Sequence, residues 1–477
     1  MRLFGATLTC AAALALAGCA AVGPDYALPD RAVANAPAAT GGFMGASEKA
    51  VSPKPAVENW WSLYDDPVLD GLVRQALAAN TDLRIAAANI GRAQAALAVA
   101  EDARLPSTGI DGAFEYGQLS GEQYLLSQPL PSMGLYSSGI GVSYQVDLFG
   151  QIRRGIEAAK ADEEAARAAA DVARITVAAE TVRAYVEACG AGHELEVARH
   201  SLALQQRSNE LTRRLVQAGR GSALDLTRSQ AQVEQFRANI PQLEAQRRVA
   251  LYRLAVLTGQ PPANFPKPVE GCAAEPRLTQ PIPVGDGAAL LRRRPDLRQA
   301  ERQLAAATAR IGVATADLYP KIGFGVSGVS VGAIDDIFTP ATLGYGVGPT
   351  ISWDFPQQNA IRARIGAAEA GADGALAAFD GKVLAALREI ESALAIYGRD
   401  LDRRAALRAA RDRAAEAERQ ARTLFGAGRQ DAFVTLDAER VLAGSDAALA
   451  QADTRIAADQ VNLFLALGGG WEIKPGS

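Results

Sequence analysis

The sequence predicts a mainly α-helical protein with a small β part, built from two copies of one unit. Three observations lead there. The first is an internal repeat. Asp82-Leu83-Arg84 stands 24 residues before Pro106, and Asp296-Leu297-Arg298 stands 24 residues before Pro320, an offset of 214. Farther on, Ile152-Arg153 matches Ile361-Arg362, and Ala218-Gly219-Arg220 matches Ala427-Gly428-Arg429, both at an offset of 209. Leu254 and Gly259 match Leu463 and Gly468 in the same way. A repeat this long sets the architecture before any short motif does. The second observation is that each copy holds long Ala-rich stretches with helical spacing of apolar residues. The third is that each copy also holds two short stretches of strict alternation, the period of a strand.

At the N-terminus, Arg2, an apolar run from Leu3 to Leu16 and then Leu16-Ala17-Gly18-Cys19 read as a secretory signal ending in a lipobox. Cys19 is thereby expected to be lipidated, and Ala20 favours delivery to the outer membrane. Residues 20–56 are rich in Ala and Pro and read as an extended tether. Trp60-Trp61 opens ordered structure as an apolar anchor.

From Pro67 to about Arg104, Leu69, Leu72, Val73 and Leu77 recur at helical steps, and Pro106 ends the helix. Alternation at Ile110, Phe114 and Tyr116, a loop over 118–137, and alternation at Ile140, Val142, Tyr144 and Val146 predict a hairpin of membrane-spanning length. A helix follows from about Gln151 to Ala218, on the order of 100 Å long. Gly219 and Gly221 end it. A return helix covers about Ala223 to Leu257, with a kink expected at Pro241. Residues 259–287 are broken by Pro and Gly.

The second copy repeats the plan. It predicts a helix over Gly287–Leu318, strands at 321–331 and 343–354, a long helix from Asn359 to Phe425 and a return helix from Ala432 to Leu467. Beyond the signal no apolar run is long enough for a membrane helix, so a spanning structure must use strands. Four strands cannot close a barrel, and an open edge in lipid is forbidden. Copies of the chain must therefore pool strands: two would give eight, three would give twelve.

Composition excludes several functions. The net charge of −4 sets up no basic field, so no nucleic-acid partner is expected. Two histidines and three methionines leave little for a metal site, and no metal or cofactor is expected. No phosphate-binding Gly-x-x-x-x-Gly-Lys occurs, and the Gly-x-Ser-x-Gly at Gly328–Gly332 falls at the end of the strand expected at 321–331, not at a strand-to-helix elbow. No catalytic residue is assigned. His193 and His200 read as helix-surface residues, and Glu163-Glu164, Glu389 and Glu391 as a solvated helix face. An oxidising compartment permits a bridge between Cys189 and Cys272, at similar height on the fold, without requiring one.

Six motifs, in order, carry a family resemblance: Cys19 with Val22-Gly23-Pro24-Asp25-Tyr26; Trp60-Trp61; Asp147-Leu148-Phe149-Gly150; Arg294-Pro295-Asp296-Leu297; Leu318-Tyr319-Pro320; and Ala466-Leu467-Gly468-Gly469-Gly470-Trp471. With the duplication, they resemble the TolC-like outer-membrane efflux ducts, in their NodT-like lipoprotein branch. The resemblance implies a homotrimer with a twelve-stranded barrel in the outer-membrane lipid, and a periplasmic α-helical barrel. It implies a periplasmic adaptor and an inner-membrane RND-type pump as partners. The chain then divides into a signal peptide (1–18), a lipidated tether (19–56), a first repeat (57–258), an equatorial linker (259–287), a second repeat (288–471) and a tail (472–477).

The expected function is passive conduction of substrates delivered by the pump. Two other readings compete: an exit duct for type I protein secretion, and a coiled-coil lipoprotein spanning the periplasm. The resemblance places the adaptor-docking tip at Gly219, Arg220, Gly221 and Ser222 and at Gly428 and Arg429. Asp431 is the candidate for a constricting acidic ring, with Asp225 at the matching place in the first repeat. Arg220 and Arg429 could instead neutralise these acids.

Overall fold

The structure, a computed structural model, describes residues 21–469 except 48, 49, 56, 58, 119 and 356. In chain order its elements are α1 (Pro37–Thr40), β1 (Val51–Ser52), α2 (Pro67–Ala79), α3 (Thr81–Asp102), β2 (Ser107–Gly117), β3 (Met133–Val146), α4 (Gln151–Gln217) and α5 (Ala223–Leu257). There follow β4 (Ile282–Pro283), α6 (Gly287–Arg293), α7 (Pro295–Ala316), β5 (Lys321–Ala333), β6 (Leu343–Ser352), α8 (Gln358–Gly426) and α9 (Ala432–Ala466). No helix among the described residues is long and apolar enough to cross a membrane. The residues fall into two compact units. One comprises 21–29, 89–167 and 299–379; the other comprises 30–88, 168–298 and 380–469.

The helix expected from Pro67 to Arg104 is two helices. Asn80 is extended at ψ 138°. Its Oδ1 accepts from the Asp82 N–H at 2.8 Å, starting α3, and its Nδ2 donates to the Leu257 carbonyl at 3.1 Å. The helix expected over Gly287–Leu318 breaks at the matching place. Arg294 has ψ 118°, because the ring of Pro295 drives the preceding residue out of the α region. Between repeats the means differ, an amide cap in one and a proline in the other, but the break is kept. α5 runs unbroken through Pro241, although that residue offers no N–H to the ladder.

In the first unit, β2, β3, β5 and β6 form one antiparallel sheet in that order. The register runs Ile110↔Ile140↔Gly328↔Tyr345 and Thr108↔Val142↔Val326↔Val347. Side chains alternate across a strand, so one face carries Ile110, Phe114, Ile140, Val142, Val326, Tyr345 and Val347. The other face carries Gly109, Gly141, Ser143, Ser327, Gly346 and Gly348. The apolar face is open: Ile110 is 81% exposed, Val347 64% and Tyr345 92%. β3 starts at Met133, inside the expected loop 118–137. Below the sheet, Asp147 accepts from the N–H groups of Ile152 and Arg153 at 3.0 and 2.8 Å, capping α4. Gly150 turns the chain there at φ +78°.

In the second unit, Trp60 is buried and stacks on Phe464 with centroids 4.5 Å apart. Tyr64 donates to Gln460 at 3.2 Å. Around them pack Leu69, Val73, Val182, Tyr185, Leu254, Ile390 and Leu394.

The described residues of the stretch read as an extended tether are held by distant parts of the chain. Among residues 21–29, Arg154 donates to the carbonyls of Val22 and Gly23 and pairs with Asp25 at 2.7 Å. Tyr26 donates to Glu301 at 3.2 Å. Past residue 30, Val33 N–H donates to Asp380 at 2.8 Å, Glu391 accepts from Met44 and Gly45, and β1 pairs with β4 in parallel. These contacts come from partners far along the chain, which local periodicity does not encode. Similar contacts correct in part the reading of the acids as a solvated face. Glu163 is buried against Arg167 at 2.5 Å, and Glu164 is half-buried against Arg302 at 3.3 Å; Glu389 pairs with Arg294 at 2.9 Å but stays exposed, as read.

Candidate functional site

The two helix reversals, α4 to α5 and α8 to α9, are built alike. Arg220 N–H donates to Leu215 O at 2.8 Å and Gly219 N–H to Val216 O at 3.0 Å. Arg429 N–H donates to Leu424 O at 2.9 Å and Gly428 N–H to Phe425 O at 2.9 Å. This is the Schellman pattern, which needs a left-handed residue at its corner. Gly219 supplies it at φ +71° and Gly428 at φ +70°.

After each corner the return helix is capped, and the acids sit differently from expectation. In the first repeat the cap is Ser222. Its Oγ accepts from Asp225 N–H at 3.1 Å, and Asp225 Oδ2 accepts from Ser222 N–H at 3.3 Å and from its hydroxyl at 2.6 Å. In the second repeat the cap is Asp431, which accepts from Val434 N–H at 3.1 Å. The residue matching Asp431 is therefore Ser222, and Asp225 matches Val434. Asp225 answers to Asp431 in charge alone. Asp431 is exposed and Asp225 half-buried. Among the described residues neither Arg220 nor Arg429 pairs with these acids; Arg220, Gly221 and Arg429 are open to solvent.

Above the turns the second hairpin is laddered by ion pairs. Asp400 meets Arg455 at 2.6 Å, Arg404 meets Asp453, Asp446 meets Arg411 at 2.7 Å and Glu439 meets Arg422 at 3.3 Å. Burial raises the Glu439 carboxyl above its ordinary value against the hydrogen bonds of Ser208 and Arg422. In the first hairpin the cross-helix pairs lie far from the turn, at Arg253–Glu187 (3.2 Å) and Arg199–Glu244 (2.6 Å). Nearer the turn, Asn209 donates to Ser229 at 3.1 Å. Arg228 lies over the Phe433 ring at 5.4 Å, tying the two hairpins together.

Not evident from apolar periodicity is a groove of about 450 Å³ between α4, α5 and α9. One wall is Gln232, Gln235, Asn239, Gln242 and Gln246; the other includes Ala443, Gly444 and Ala447. The amides follow three-four spacing, so they form one stripe of α5. That spacing was present in the sequence, but an apolar-periodicity search skips amides.

The cysteines were left open and are joined: Cys189 and Cys272 form a disulfide with Cα atoms 4.9 Å apart. Beside it, His193 Nδ1 lies 3.0 and 3.1 Å from the two carboxylate oxygens of buried Glu275. Thr454 Oγ1 lies 3.0 Å from Glu275 and 3.2 Å from Glu194. Burial, and then the charge of Glu275, raise the Glu194 carboxyl above its ordinary value, against the hydrogen bond from Thr454. Among the described residues no group of three or more His, Cys, Asp or Glu is placed to hold a metal ion. Cys19 lies outside the described residues.

The family model for the outer membrane efflux protein matches residues 72–260 and 288–469. Nodulation protein T of Rhizobium leguminosarum bv. trifolii is 29% identical over 96% of this chain and 96% of its own length. Outer membrane protein OprJ of Pseudomonas aeruginosa is 31% identical, over 96% and 95%. Among solved structures, the outer-membrane channel OprN superposes with a TM-score of 0.87 at 35% identity, covering 94% of this chain and 99% of that one.

Proposed function

The chain belongs to the outer membrane efflux protein family, and from that premise we propose that three copies assemble into one exit duct. The protein is an outer-membrane channel of an efflux system, of the same kind as OprJ and OprN. In the proposed trimer each sheet contributes four strands to a twelve-stranded barrel, with the apolar face toward lipid and the Gly- and Ser-rich face toward the bore. The observation that carries this reading is the sheet itself. β2 and β6 are both edges, and the face bearing Ile110 and Val347 is uncovered. In lipid the edges must pair, and joining β2 to β6 of the next copy pairs both. The energy for export comes from an inner-membrane pump of the RND class through a periplasmic adaptor.

The reversals at Gly219–Ser222 and Gly428–Arg429 are the proposed tip where the adaptor docks. Asp431, and more weakly Asp225, are the proposed constriction. Threefold repetition turns one exposed carboxylate into a ring that favours cations. A lipid on Cys19 is the proposed second anchor. Outer-membrane extraction followed by unheated gel electrophoresis tests the assembly. A heat-resistant band at three times the chain mass is expected, together with ion conduction in planar bilayers. A monomer recovered from the soluble periplasm would remove the reading.

A further inference from the structure

A second cavity, of about 480 Å³, lies between α4, α5 and the segment 259–287. We propose that it binds a small polyanion, one bearing at least two carboxylate or phosphate groups.

Its walls carry Arg199, Arg247, Arg248 and Lys267 against Glu244 and Glu270. The cavity is thus net positive in a chain whose net charge is −4. The charges are not mutually satisfied. Arg199 takes Glu244 at 2.6 Å, which leaves three cations facing Glu270 alone.

Arg247 is the most informative of the three. One terminal nitrogen donates to the Cys272 carbonyl at 3.4 Å. Its Nε is buried and has no acceptor among the described residues. A buried Nε is closed to a ligand in the cavity as it is to water, so it is the terminal nitrogens of the planar fork that can meet a carboxylate or phosphate there. Arg248, next along the helix, is exposed and makes no ion pair among the described residues. Lys267 is held over the Phe265 ring, 4.3 Å from its centroid, and Tyr252 lies 6.5 Å from the same ring. The aromatic wall positions the ammonium by a cation–π contact and leaves its charge available.

The segment that brings Phe265, Lys267 and Glu270 to the cavity is anchored just beyond it, two residues after Glu270. Cys272 is tied to α4 by the disulfide to Cys189, and its carbonyl takes Arg247. A site whose walls are already ordered loses little entropy on binding. Three separated cations in a space of this size call for a ligand with more than one anionic group. A lone chloride or acetate satisfies only one of them.

The test is isothermal titration of the detergent-solubilised full chain at low ionic strength, with citrate and with pyrophosphate in separate runs. One saturable site per chain is expected for at least one probe, with a dissociation constant below about 1 mM. Arg248→Ala combined with Lys267→Ala changes two exposed side chains and is expected to weaken binding at least tenfold. Arg214→Ala combined with Arg237→Ala removes the same charge away from the cavity and is expected to leave affinity unchanged. Absence of saturable binding by both probes overturns the proposal. So does equal weakening by the two double variants, which would mark a diffuse charge effect. Full displacement by chloride at matched ionic strength overturns it as well.

Discussion

Ser222 and Asp431 occupy the same position in the two repeats, and each caps the return helix that follows its turn. One does so with a hydroxyl and the other with a carboxylate. The cap is therefore the shared structural requirement; the first repeat carries its carboxylate three residues on, at Asp225, and the second carries it on the capping residue itself.

That difference allows cap and charge to be separated at Asp431. Asp431→Ser keeps a cap of the kind the first repeat uses and removes the charge. Asp431→Ala removes both, and losing an N-cap costs about 1 kcal/mol. If Asp431 lines the constriction, both variants raise single-channel conductance or weaken cation preference in a planar bilayer. If only the alanine variant changes conductance, the residue acts as a cap. Unchanged conductance and selectivity in both place the gate elsewhere.

Cys19 is expected to carry the lipid. Metabolic labelling with palmitate should mark the wild-type chain and leave Cys19→Ala unlabelled. A barrel also holds the protein in the membrane, and a single acyl chain binds only marginally. Cys19→Ala should thus reduce delivery to the outer membrane more than retention there. An unlabelled wild type defeats the lipobox reading.

The Cys189–Cys272 bridge closes a loop with a sequence separation of 83. By chain entropy such a loop stabilises by about 4 kcal/mol. Cys189→Ser and Cys272→Ser should each lower the melting temperature by several degrees, and reductant should do the same to the wild type alone. Alkylation of denatured, unreduced protein should leave both cysteines unmodified; labelling of both would show that the bridge is absent.

Asp459 sets a pH dependence. Burial pushes its carboxyl up to about 7, helped by the hydrogen bond and charge of Asp400 and opposed by Arg455. The folded chain then holds a proton that the unfolded chain releases near the ordinary value of 3.8. Between those two values the native state binds more protons, so stability falls as pH rises through the window and levels off above about 7. Thermal melts from about pH 5 to pH 8 should show this decline. Asp459→Asn, which stays neutral, should flatten it. Parallel slopes in wild type and variant would assign the dependence to other groups.

Much of the architecture was legible because it follows period. The helices came from three-four spacing, the strands from alternation, and the reversals from Gly219 and Gly428. What failed depended on distant partners. Residues 30–56 carry no period, and the described ones among them are held by Asp380, Glu391 and the β4 strand. Glu163 looked solvated because burial against Arg167 and Gln94 needs the neighbouring helix to be in place. The break at Arg294 was readable from Pro295, but helical periodicity on both sides hid it. The helix reversals themselves stand at the glycines read for them. The pairing of Asp225 with Asp431 followed charge type, whereas the repeat offset, read strictly, aligns Ser222.

The open edges of the four-stranded sheet bear on the order of events in biogenesis. A lone chain entering a bilayer would carry the free N–H and C=O groups of β2 and β6 into hydrocarbon, where each unpaired group costs several kcal/mol. That penalty disappears only when neighbouring copies meet edge to edge. Pairing of the edges between copies is thus expected before or during insertion, not after it. The rate at which the closed oligomer appears in the membrane should rise more steeply than linearly with the amount of chain secreted.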